Sequence, residues 1–100
     1  MFQIRYAAPA ISDLTDIADY LEREASPRVA AAVVRRVRLQ IRTLERDALR
    51  HRVRTELGHE RRALLISPYL AFYRVESDIV FVLRVLHSAR LISLNMLDGL

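Results

Sequence analysis

The chain has 100 residues, 52% of them hydrophobic, with no cysteine and a formal net charge of +4. That length makes one domain with one modest core, and the composition excludes a disordered tail, a disulfide scaffold and thiol chemistry. No apolar run nears the ~20 residues of a membrane span and the N-terminus lacks a signal-peptide pattern, so a cytoplasmic protein is expected.

All sixteen basic residues are arginine. A GC-rich genome accounts for such a bias but not for where the arginines sit. Residues 1–26 hold five acids and two arginines, whereas residues 35–62 hold ten arginines and four acids. The molecule should therefore have an acidic end and a basic band. Arginine matters here because its planar fork meets carboxylate or phosphate with two parallel hydrogen bonds.

"FQIRYA" alternates Phe2, Ile4 and Tyr6 with Gln3 and Arg5, which predicts a strand with one buried face. Pro9 fits the first turn of a helix. Ile11, Leu14, Ile17, Ala18 and Leu21 then follow at helical spacing with Asp13, Asp16 and Asp19 between them. This predicts a first helix over 9–24, its early acids facing the positive end of the helix dipole. Ser26 is a good N-cap and Pro27 a good first helical residue. Ala30, Val33, Val34, Val37, Ile41 and Leu44 make the apolar stripe of a second helix, and Arg38, Arg42 and Arg46 a charged stripe at i, i+4. So short a link predicts an antiparallel helix hairpin.

Residues 47–60 have no clear period, with a turn expected at Gly58 and a short strand near Val53. "RRALLIS" reads as a strand, and Pro68-Tyr69 as a turn or bulge. "YLAFYRV" is the next strand, Glu76-Ser77-Asp78 a hairpin turn and "IVFVLRVLH" the last strand. The apolar run from Ile79 to Leu86 places that strand centrally, covered on much of both faces. The tail "LISLNMLDGL" is apolar enough to dock as a further turn of helix or strand. The expected fold is α+β: an N-terminal strand, a helix hairpin on one face, then a three-stranded antiparallel sheet.

Several residues in this order are family-like. In the first helix these are Ala10, Asp13-Leu14, Ile17 and Tyr20-Leu21; then come Gly58, Arg62, Leu64 and Tyr69; then "FYRV" at 72–75 and "RVLHSAR" at 84–90. Together they resemble the ParE/RelE superfamily of toxin–antitoxin systems over nearly the whole chain. The resemblance implies a small cytoplasmic toxin restrained by a cognate antitoxin. ParE-like members poison DNA gyrase, whereas RelE-like members cut messenger RNA in the ribosome, and fold alone does not choose.

Cleavage through the 2′-OH needs a base, an acid and cations around the phosphorane. Under a ribonuclease reading, Arg62, Arg84, His87 and Arg90 would carry it. The chain has no lysine and no tyrosine after Tyr73, and arginine stays protonated. Stabilising cations are present and proton-transfer groups scarce, which fits the gyrase-poison branch better, with no catalytic residue, metal or cofactor. The partner implied is a ParD-like, ribbon-helix-helix antitoxin whose acidic C-terminal segment lies in an arginine-rimmed groove beside the helix hairpin. Its expected contacts are Arg38, Arg42, Arg46, Arg62, Arg74 and Arg84, with His87 and Arg90 for the gyrase target. A plain basic nucleic-acid-binding module ranks last, because no reading helix or aromatic RNA platform is visible, and direct nucleic-acid binding is not expected.

Structural readings stand beside these. Tyr69, Phe72, Tyr73 and Phe81 read as sheet core, and His87 as a strand-end residue bonded to backbone. Arg84, inside an apolar strand, needs a partner: Asp13 or Asp16 within the chain, or an acid on another protein.

Overall fold

A computed structural model describes residues 1–54 and 60–89. Gly58, Arg90 and the apolar tail, each assigned a part above, lie outside the described residues. The elements run β1 (Gln3–Tyr6), α1 (Ala8–Glu24), α2 (Pro27–Arg42), α3 (Leu44–Asp47), β2 (Arg62–Ile66), β3 (Tyr69–Glu76) and β4 (Ile79–His87). The sheet order is β1-β4-β3-β2. The expected N-terminal strand is thus the fourth member of one mixed sheet, parallel to β4, while β2, β3 and β4 form an antiparallel meander. As expected, β4 is central.

The helix boundaries have local causes. The Ser26 side-chain oxygen accepts the Val29 N–H at 3.1 Å, satisfying one of α2's orphan donors, and Pro27 occupies the first turn. No acid occupies the first turn of α1, so the expected dipole contact is not made there. α2 ends at Arg42, because Thr43 bonds back to the carbonyls of Gln40 and Ile41. The chain then restarts as α3, so Arg46 does not belong to the helix that carries Arg38 and Arg42.

Ala10, Leu14, Val37 and Ile41 from the hairpin, with Leu44, meet Leu64, Ile66, Ala71, Tyr73, Val80, Val82 and Val85 of the sheet in one buried cluster. Burying each such Val, Leu or Ile side chain is worth about 1.5–3 kcal/mol. The β2–β3 turn carries a cis Ser67–Pro68 peptide, and the strand expected near Val53 is a single bridge to Arg62. Tyr73 pairs with Val82 but Phe72 pairs with Arg84. Leu83 is therefore an extra residue in β4, a bulge that shifts the alternation of faces before Arg84.

Tyr73 is 0% exposed, and its hydroxyl donates to the Ala48 carbonyl at 2.6 Å. Burial pushes that hydroxyl up to about 12, against the opposing pull of Arg62. The folded chain thus holds this proton more tightly than the unfolded chain, where tyrosine ionises near 10. The stabilisation is complete below pH 10 and is lost as pH rises to about 12, a loss on the order of 2 kcal/mol. Burial pushes Tyr6 and Tyr69 in the same direction. Tyr73→Phe should flatten part of this alkaline decline, and at neutral pH cost about 1–3 kcal/mol for the orphaned carbonyl. Urea denaturation at pH 7 and pH 11 checks both effects; an alkaline loss equal to that of the parent would contradict the assignment.

Candidate functional site

Charged residues inside or beside the sheet divide into those with internal partners and those without. Arg84 donates from Nε to Asp13 Oδ2 at 2.7 Å and from Nη2 to Oδ1 at 2.9 Å. The Val85 N–H also donates to Asp13 Oδ2, at 2.9 Å. The cause is topological. β1 pairs with β4 only from Gln3–Ile79 to Tyr6–Val82, and the Ala7 N–H closes on Val82 O. Past that point β4 has no strand on this side, and α1 brings the Asp13 carboxylate to the free Val85 N–H. Asp13 is 8% exposed, so its charge requires such partners. The hydrogen bond to Asp13 raises the Arg84 pKa further, against the opposing effect of burial. Of the partners open to Arg84 in the sequence, the structure supplies Asp13.

Arg62 Nη1 donates to the His51 carbonyl. Arg74 is salt-bridged to Glu76, and its guanidinium carbon lies 4.4 Å from the centre of the Phe81 ring. His87 is exposed; its Nδ1 accepts the Ala89 N–H at 3.1 Å, and its ring meets Tyr69 edge-on at 5.7 Å. A neutral His87 therefore carries its proton on Nε2. Arg62 pairs with Tyr73, and His87 with Tyr69 four residues away on the same strand, a separation of about 13 Å along the sheet. Arg62, Arg84 and His87 do not converge on one point. His87 instead borders a second hollow of about 540 Å³, with Asp16, Asp19, Tyr20 and Tyr69.

The arginine-rimmed groove is present beside the helix hairpin, with a volume of about 770 Å³. Ile4 and Tyr6 of β1, Ala18 of α1, and Ala31, Val34 and Leu39 of α2 supply its apolar lining. Its cationic rim is Arg35, Arg38 and Arg42, which share a face of α2 at i, i+3, i+7. Glu22 and Glu45 are the acids on its wall. The Arg38 guanidinium carbon sits 4.8 Å from the centre of the Tyr6 ring. Arg42 is bonded to Glu45 at 3.3 Å. Among the described residues the Arg35 side chain makes no hydrogen bond or ion pair. Arg46, Arg62, Arg74 and Arg84, expected beside Arg38 and Arg42, do not line this groove. Arg35, missed in the sequence, does. Its signal was the i, i+3 step to Arg38, obscured by the regular 38, 42, 46 repeat.

No curated protein matches the sequence significantly. A solved structure titled "Chromosomal ParDE TA system from P. aeruginosa" contains a chain similar to this one, with a TM-score of 0.78 at 25% identity, over 87% of this chain and 96% of that one. Residues 4–92 match the family model described as the ParE toxin of the type II toxin–antitoxin system parDE. With fold and sequence in agreement over almost its whole length, this chain belongs to the ParE toxin family.

Proposed function

We propose that this chain is a cytoplasmic toxin that inhibits DNA gyrase by contact, has no nuclease activity of its own, and is neutralised by a ParD-like antitoxin. The antitoxin's acidic C-terminal segment would lie in the groove between β1 and the helix hairpin. The supporting observation is how the cations are used: Arg84 pairs with Asp13, Arg62 with a carbonyl and Arg74 with Glu76, while Arg35 and Arg38 rim the groove without a salt-bridged carboxylate among the described residues. A phosphorane site needs the reverse, cations converging on one point beside a proton donor and acceptor.

Induction without antitoxin tests this reading. Growth should stop with a DNA-damage response while messenger RNA stays intact. His87→Gln removes titration but keeps size and hydrogen bonding, so the variant should keep most of the toxicity. If His87 performed general acid–base catalysis, the same change would lower activity by ~10²–10⁴-fold. A folded His87→Gln variant without toxicity, together with messenger cleavage by the parent, would replace this reading with the ribonuclease one. In the native host the chain should also co-purify with a small acidic-tailed protein; robust, harmless expression alone with no partner recovered would count against the pairing.

A further inference from the structure

The three groove arginines are not equivalent. Arg42 already has a carboxylate, Glu45, at 3.3 Å. Glu45 is itself held in place, since its backbone carbonyl accepts the Phe2 N–H at 2.8 Å where α3 meets β1. Among the described residues the Arg38 guanidinium has no ion pair and meets the Tyr6 ring; that contact restrains the cation but supplies no counter-charge. Arg35, one turn earlier, has neither ring nor acid among the described residues. Both remain open to an incoming anion, and Arg38 is restrained before it arrives, which lowers the entropy lost on binding.

We propose that Arg35 and Arg38 form the carboxylate receptor of this groove, with Tyr6 as the residue that positions Arg38, and that Glu45 withholds Arg42 from the occupant. This rests on the groove being the antitoxin's seat and specifies what that antitoxin must present. The two arginines are about 4.5 Å apart along α2. An amphipathic helix with two acids three or four residues apart on one face matches that step. A third acid opposite Arg42 meets Glu45 and is disfavoured, and Glu22 on the α1 wall opposes acids there. The receptor therefore reads where the acids lie, not merely how many there are.

The test titrates the isotopically labelled chain with glutarate, a simple dicarboxylate, and follows each arginine Nε–H by NMR. The Arg35 and Arg38 signals should shift and Arg42 should not. Glu45→Gln should bring Arg42 into the response. Tyr6→Leu should remove the Arg38 shift, whereas Tyr6→Phe, which keeps the ring, should preserve it. Equal shifts at all three arginines of the parent, or identical behaviour of Tyr6→Leu and Tyr6→Phe in folded protein, would overturn the receptor. The measurement needs no partner protein. An intact glutarate pattern in a chain that binds no antitoxin would therefore support the receptor and refute the functional reading alone.

Discussion

Asp13→Asn is expected to cost the fold about 3 kcal/mol, because it leaves the Arg84 cation beside a neutral amide in a largely enclosed site. The side chains of Arg84 and Asp13 are only 19% and 9% exposed, so water replaces little of the lost charge. For a domain of this size that loss lowers Tm by roughly 12–24 °C, a large share of the 5–15 kcal/mol typical of natural domains. The double variant Asp13→Leu/Arg84→Met should recover part of the loss, since two apolar side chains leave no stranded charge. It should not recover all, because the Val85 N–H loses its acceptor as well. Thermal and urea denaturation check this; a loss below about 1 kcal/mol for Asp13→Asn would mean the pair is solvated as surface pairs are. Arg84→Ala should act first on stability, so toxicity lost in that variant has to be read against its folded fraction.

Arg35→Glu/Arg38→Glu is expected to weaken antitoxin binding by about a hundredfold or more, as reversal replaces two open cations with charges that repel an acidic segment. Both residues are exposed on α2, so folding should change by only about 0.5 kcal/mol, plus whatever the Arg38–Tyr6 contact contributes. Arg42→Gln/Glu45→Gln, which removes that ion pair without adding net charge to the groove, should do less, because Arg42 already has Glu45. Calorimetry with the purified antitoxin decides: unchanged affinity in the double variant would remove the groove from the interface. Equal losses at Arg35, Arg38 and Arg42 would leave the groove but remove the distinction among its arginines.

Local signals made much of this legible in the sequence. Ser26 and Pro27 placed the start of α2, Glu76-Ser77-Asp78 the last hairpin, and the Ile79–Leu86 run the central strand, because caps, turns and continuous apolarity act within a few residues. The parallel pairing of β1 with β4 was not legible, since it joins Gln3 to Ile79 and no local pattern encodes so distant a neighbour. Nor was the Leu83 bulge, which depends on the register against β3. The need of Arg84 for an acid was visible; the choice of Asp13 follows from β1 ending at Tyr6 and leaving Val85 uncovered. Spacing by fours extends the arginine stripe to Arg46. The Thr43 break ended it, and the groove's other walls, unseen in sequence, brought in Arg35.

Family membership makes this chain a ParE-type toxin, and as proposed above it acts by holding gyrase, not by cutting RNA. Supercoiling of relaxed plasmid by purified gyrase, with the purified chain added and then titrated with its antitoxin, tests that claim most directly. Supercoiling should fall as the chain is added and return as the antitoxin approaches one equivalent per toxin, with His87→Gln equally inhibitory. Undiminished supercoiling at saturating toxin, alongside cleavage of ribosome-bound messenger by the same preparation, would contradict it.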